Sequence, residues 1–307
     1  MICQLSNTEE NMHLSTHTWM RPEPLETTLK RASELGYESI ELAGIPEQYP
    51  IEQTKKLLDK YGLKCWGTVT LQMGDHDLAA SNPEQRKKTV QYVKDVVDMA
   101  AGLGGSITSV VPVTVGKLAP TSSPENEWNW VIEGLKEVHK HAVSRGIKIG
   151  LEPLNRFETY FLNRIDQALA LADAVGPEIG IALDPFHLNI EEANLFSAIK
   201  SAGTRIVDVH VSDNNRLPVG EGSLDWKKII DMLNELGYKG GLAVEFMPPI
   251  DRTPVSPYPQ QLETKPVEVP PALRKFIEDH ASSILNDDYY TSLMRKSAES
   301  VQALLGK

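Results

Sequence analysis

The run IKIGLEP at residues 147–153 is a short apolar segment that ends on an acid, and its pattern recurs three times downstream. IGIALD (179–184), RIVDVHV (205–211) and GLAVEF (241–246) are each too short for a helix, rich in apolar residues and carry an ionisable side chain at or one residue before their end. Toward the N-terminus, HLSTHTW (13–19), ESIELAG (38–44), LKCWGTVTL (63–71) and SITSVVP (106–112) supply four more strand candidates. Amphipathic stretches with helix start and stop signals lie between them. PEPLETTLKRASELG stops at Gly36 and IEQTKKLLDKYG at Gly62, where glycine can take the left-handed turn that ends a helix. Pro83 opens a long helix that ends on glycines, Ser123 and Pro124 provide a cap and first position for another, and LDWKKIIDMLNELG repeats the pattern near the end. Strand then helix, eight times over, means parallel strands with right-handed crossovers. Eight units favour closure into an α/β (β/α)8 TIM barrel over an open sheet, and no G-x-G-x-x-G follows the first strand.

The 307 residues hold one such barrel of about 250 residues plus loops, a single domain. Apolar residues are 41% of the chain, enough for a full core, yet no apolar run approaches the ~18 residues of a membrane span. Net charge is −11, the wrong sign for a broad nucleic-acid footprint. Two cysteines, Cys3 and Cys65, exclude a disulfide scaffold, and Cys65 reads as a core thiol. The start, MICQLSNTEENMH, has neither a basic nor an apolar leader region, which points to the cytoplasm. Residues 1–11 read as a disordered extension and 12–307 as the barrel. Residues 247–271 carry eight of the chain's 20 prolines, a long loop on the rim after strand eight, with 247–287 as loop and connection. The final stretch, from Ala272, reads as a helix closing the outer ring.

Glu152, Asp184, His210 and Glu245 end strands five to eight, about one strand–helix unit apart. In a barrel they converge at the C-terminal face, where such enzymes keep their sites. Capping the rim would explain any one of them alone. Four on consecutive strands form a hard, mostly anionic set suited to Mn²⁺ first, with Mg²⁺ or Co²⁺ also fitting. Two positions earlier, Gly150, Ala182, Asp208 and Ala243 also face inward. Three are small, leaving room. Asp208 needs a partner, either the His210 ligand or Lys148. His17 on the first strand reads as a core or rim residue. His139 and His141, two apart on a helix, cannot face one site.

GLEPLNRFETYFLNR (150–164), LDPFHLNIEEA (183–193), HVSDNNRLPVGEG (210–222) and LAVEF (242–246) resemble the D-tagatose/D-psicose (ketose) 3-epimerase family of the xylose isomerase-like barrels. The resemblance covers residues 13 to about 246 and is strongest in the C-terminal half. It implies that Glu152, Asp184, His210 and Glu245 are the metal ligands. It also makes Glu152 and Glu245 the acid/base pair and puts Glu158, His187 and Arg216 on substrate oxygens. The chain departs from the family where Ser212-Asp213-Asn214-Asn215-Arg216 replaces the usual Gly-Glu-Ser-His-Arg, and where Phe-Met-Pro-Pro follows Glu245. Both changes touch the pocket wall.

The chemistry stands on physical grounds too. A divalent cation on a carbonyl and its neighbouring hydroxyl stabilises the enediolate left when the α-proton departs, and two carboxylates on opposite faces can remove and return that proton. Local pairings offer alternatives for the substrate residues: Arg216 to Glu221, Glu158 to Arg156 or Arg164, and His187 to solvent. Trp19 and Trp66, near the ends of strands one and three, are candidates for walls stacking on a sugar, with a core role as alternative. No glycine-rich phosphate cradle is present, favouring unphosphorylated sugars. The leading expectation is a metal-dependent sugar epimerase or isomerase acting as a homodimer or homotetramer. Elimination on a keto-inositol or 3-keto-glycoside could use the same site. A metal-dependent nuclease would want more strand-end histidines and a basic rim, and an intact acid/base pair argues against a non-catalytic sugar-binding barrel.

Overall fold

The computed structural model of the chain describes residues 11–70, 72–249 and 285–307. All eight expected strands form: β1 (His13–Thr16), β2 (Ser39–Ala43), β3 (Lys64–Val69), β4 (Ile107–Val110), β5 (Lys148–Leu151), β6 (Gly180–Leu183), β7 (Ile206–Val211) and β8 (Gly241–Val244). They are parallel, in the order β1-β8-β7-β6-β5-β4-β3-β2. The seam between β1 and β2 is held by a His17–Glu41 bridge, with Thr18 N donating to Glu41 O (3.1 Å) and Glu38 N to Leu14 O (2.9 Å). Most strands are a residue or more shorter at their C-terminal ends than the apolar runs suggested, because those ends turn out of the ladder to carry the site.

The outer ring follows the sequence signals: α1 (Leu25–Glu34), α2 (Ile51–Tyr61), α3 (Pro83–Leu103), α4 (Pro124–Arg145) and α5 (Ile165–Val175). It continues with α6 (Pro185–Glu191), α7 (Leu195–Ala202), α8 (Trp226–Glu235) and α9 (Asp287–Leu304). Ser123 Oγ accepts from Asn126 N as the α4 cap, and Asn82 does the same for α3. Gly62 closes α2 at φ 66°, a left-handed angle costly for any residue with a Cβ. The helices bury one apolar stripe each, such as Leu29 and Ala32 of α1 and Ile229, Ile230 and Leu233 of α8. Full burial of each such large aliphatic side chain stabilises the fold by about 1.5–3 kcal/mol.

The barrel interior is different. Ser15, Ser39, Glu41, Ser109 and Asp208 are buried there, where branched aliphatic residues usually fill such a lumen. α9 is tied to the start of the chain by a buried ionic cluster. Glu23 receives hydrogen bonds from both Arg21 and Arg31, Arg31 Nη2 reaches Asp287 Oδ1 (2.6 Å), and Arg21 Nε donates to Leu285 O (3.0 Å). Cys65 is buried, as expected of a core thiol. Cys3, residues 1–10 of the expected extension, the proline-rich loop beyond Pro249 and the helix expected over 272–284 lie outside the described residues. Among the described residues no helix is long and apolar enough to cross a membrane.

Candidate active site and metal centre

Three of the four expected ligands stand one residue past their strands: Glu152 after β5, Asp184 after β6 and Glu245 after β8. His210 sits within β7, one residue before its end. The four therefore share one level at the C-terminal mouth. Each offers a ligand atom, and these atoms all lie within 4.8 Å of one another, in fully buried surroundings. His210 Nδ1 is 2.9 Å from Glu152 Oε1 and 3.2 Å from Glu245 Oε2. Three carboxylates and one imidazole around one point make a hard, anionic donor set, the kind that holds Mn²⁺, Mg²⁺ or Co²⁺, so these residues fit a divalent ion.

Asp184 has a double duty. Its Oδ1 accepts from Phe186 N (2.9 Å) and caps α6, while its Oδ2 faces the centre. That cap fixes the start of α6 and so places His187 on the helix's first turn, toward the site.

The partner of Asp208 is settled by geometry. Asp208 Oδ2 lies 3.2 Å from His210 Nε2, and Asp208 Oδ1 accepts from Trp66 Nε1 (2.9 Å) and Val209 N (2.9 Å). Lys148, the other candidate, is exposed at the opposite end of its strand. Trp66 corrects an expectation. It is the third residue of β3, stacked edge-on against His13 at 5.3 Å and packed on Gly240 and Gly241, so it sits at the N-terminal end of the barrel, away from the ligands. The apolar run around it predicts a position near the strand's end, whereas it lies near the start. Trp19 does face the pocket, together with Val69, Glu158, His187, Arg216 and Met247.

The three expected substrate residues form one network. Arg216 Nη1 donates to Asp184 Oδ2 (2.9 Å) and reaches Glu245 Oε2 (3.4 Å), and Nη2 lies 3.1 Å from His187 Nε2. Its guanidinium stacks on Phe186, 3.9 Å from the ring centre. The local pairings weighed for these residues go elsewhere: Glu221 to Lys296, Arg156 to Glu191 and Arg164 to Asp166. His187 is 1% exposed, not solvent-facing. Asn155, which the sequence reading passed over, links the set. Its backbone N donates to His187 Nδ1 (3.1 Å), and its Nδ2 donates to Glu158 Oε1 (2.8 Å). The signal for it was a polar residue after Leu154, three positions past a strand-end ligand candidate. Arg216 has φ +59°, a left-handed backbone angle at a residue with a full side chain. The loop holds it there around buried Asp213, which accepts from Gly220 N and Leu224 N (both 3.0 Å).

Charge follows the packing. Burial pushes the Glu152 carboxyl up, against the pull of His210. Burial also pushes on Glu245, but the Arg216 and His210 charges outweigh it and hold that carboxyl well below the usual range. Beneath the ligands lies a second buried group that the sequence reading did not assemble. His17 meets His210 edge-on at 4.6 Å, and Glu41 Oε2 is 3.9 Å from His17 Nε2 and 3.8 Å from His210 Nε2.

The family model described as "Xylose isomerase-like TIM barrel" matches residues 29–263, and the chain belongs to that family. Within it, the chain is 31% identical over 217 residues to an L-ribulose 3-epimerase of Methylomonas sp. (strain DH-1), covering 70% of this chain and 75% of that one. It is 29% identical over 228 residues to a D-psicose 3-epimerase of Enterocloster bolteae, covering 71% and 75%. The solved D-allulose 3-epimerase of Methylomonas sp. in complex with D-allulose shares the fold, with TM-score 0.79, 22% identity and coverage of 96% and 97%.

Proposed function

We propose that the protein is a divalent-metal-dependent ketose 3-epimerase acting on unphosphorylated sugars, with Glu152 and Glu245 as its acid/base pair. The observation that carries this is the convergence of Glu152, Asp184, His210 and Glu245 at one mouth of the barrel, beside a pocket that holds Glu158, His187 and Arg216. The relatives named above, all 3-epimerases of free ketoses by their names, support the substrate class. Mn²⁺ is the first choice of metal from the hard donor set, with Mg²⁺ and Co²⁺ next.

Glu152, Asp184, His210 and Glu245 would hold the metal, which supplies positive charge where two adjacent substrate oxygens become negative. Arg216, fixed between Asp184 and Phe186, presents guanidinium N–H groups to substrate oxygens. Asn155 holds Glu158 and His187 as one unit, so both approach the sugar hydroxyls from the same side. One of the two glutamates takes the proton from the carbon beside the carbonyl. The other, coming from a different strand, returns a proton to the opposite face and inverts the centre. Trp19 closes the apolar side of the pocket and excludes water.

Elimination on a keto-inositol or 3-keto-glycoside needs a leaving group and a path for it, and the relatives' epimerase activities do not favour that reading. A cytoplasmic homodimer or homotetramer remains our proposal for the setting of the enzyme. The deciding experiment incubates metal-loaded protein in D₂O with a panel of free ketoses and follows C3 by NMR. Deuterium at C3 together with the C3 epimer, both lost on metal removal, is the expected result. Exchange at C1 or C2 instead would convert the assignment to an aldose–ketose isomerase.

A further inference from the structure

Beneath the ligands the barrel carries a column of buried polar atoms without partners. Ser15 Oγ, Ser39 Oγ, both ring nitrogens of His17 and both carboxyl oxygens of Glu41 have no hydrogen-bond partner, and the four residues are at most 1% exposed. They belong to two adjacent rungs. The His17–Glu41 bridge sets the alignment of β1 and β2, so Ser15 stands beside Ser39 one rung below. Both rungs lie on the seam where β1 and β2 form the two ends of the sheet order and share a single bridge. At its lower end, Ser39 also lines an open cavity of about 740 Å³ at the N-terminal face, with His13, Glu38, Lys64, Trp66 and Ser106. At its upper end His17 follows β1 beside Val244, the residue before Glu245, with His17 N donating to Val244 O (3.3 Å).

Six orphan polar atoms in one short column are far more than an interior tolerates, since each costs about 1–3 kcal/mol when left bare. His17 and Glu41 stand 3.9 Å apart, too far for a direct hydrogen bond. A site with several polar partners that cannot satisfy one another is one that holds water.

We propose that a file of water molecules fills this column from the N-terminal cavity up to His17 and Glu41, and brings solvent hydrogen to the Glu245 side of the site from below. The second half rests on the epimerase reading. A proton left on a glutamate must exchange with solvent, and a bound sugar occupies the upper mouth. The column offers a second approach, in which water exchanges one hydrogen for another and no group changes its net charge.

The test compares the metal-loaded protein with the Ser15→Val/Ser39→Val double variant, with Ser15→Ala/Ser39→Ala as a milder pair should the first fold poorly. Crystal structures that resolve waters should show them between Ser39 and Glu41 in the parent and fewer in the variant. In D₂O, deuterium incorporated at C3 per epimer formed should fall several-fold in the variant, with metal content unchanged. A dry column in the parent overturns the proposal. So does a column whose loss leaves deuterium incorporation per turnover unaltered. A parent protein with a water-filled column but no exchange on any ketose would sink the epimerase reading and the delivery role, while the water file itself would stand.

Discussion

Asp208 Oδ2 lies 3.2 Å from Nε2 of His210, on the side of the ring away from Glu152 and Glu245. The carboxylate therefore holds the proton on Nε2 and leaves Nδ1 as the ring atom facing the other ligands. Asp208 is itself held by Trp66 from the far side of the barrel, at 2.9 Å. Replacing Asp208 by Asn should weaken Mn²⁺ binding by about 10–100-fold while leaving the fold intact. Titration calorimetry on metal-stripped protein measures this, and Trp66→Phe should show a smaller loss in the same direction.

The two glutamates differ in surroundings but should both be needed. Glu152→Gln and Glu245→Gln are each expected to lower epimerisation by about 10²–10⁴-fold. Each variant keeps one carboxylate, so starting from the two epimers separately in D₂O should reveal residual exchange from only one of them. Equal residual exchange from both epimers would mean that a single group serves both faces.

Metal removal should cost stability as well as activity. Arg216 offsets only part of the repulsion among three carboxylates gathered within 4.8 Å of one imidazole, and a divalent cation at their centre would relieve the rest. Metal at about 100 times its Kd adds about 2.7 kcal/mol to the folded state. The melting temperature should fall by several degrees with chelator and recover with Mn²⁺, in calorimetric scans.

Glu41 gives the metal-free protein a pH signature. Burial, with the Asp208 charge behind it, pushes its carboxyl up to about 8 in the folded state, against about 4.3 in an unfolded chain. The folded state holds that proton more tightly, so the stabilisation is full at low pH and is lost as pH rises toward 8. Burial holds His17 at about 3, so its opposing effect is confined to pH below about 6.5. Between about pH 6.5 and 8 the parent's melting temperature should therefore decline, and that of Glu41→Gln should decline less. Parallel curves for the two proteins would place the raised group elsewhere.

The cluster that ties α9 to the first helix should carry stability without touching catalysis. Glu23 is 2% exposed and pairs with two arginines. Glu23→Ala leaves two buried guanidinium groups sharing the half-exposed Asp287, and should destabilise the fold by about 1–3 kcal/mol in urea unfolding. Metal affinity should be unchanged in the surviving folded fraction.

The sequence by itself determined the barrel and the four candidate ligands at its strand ends. A parallel strand in a barrel is a short apolar run, its chemistry stands where that run ends, and both features are local. Helix ends were legible for the same reason, since Ser123, Gly62 and Pro83 act on their own turns. Only the tertiary structure decided which residues meet across the lumen. Asp208 could face Lys148 or His210 on any local criterion, and it was the placement of Trp66, far away in the chain, together with Lys148 turning to solvent, that settled the choice. Trp66 itself was misplaced because an apolar run does not show where its strand begins, and a few residues decide which end of a barrel a side chain serves. Asn155, Glu158 and Arg216 come from two loops and His187 from the first turn of α6, while His17 and Glu41 come from the two strand ends that share one bridge. Their partnerships depend on strand register and loop closure, which are properties of the closed ring and are not written in any one stretch of its sequence.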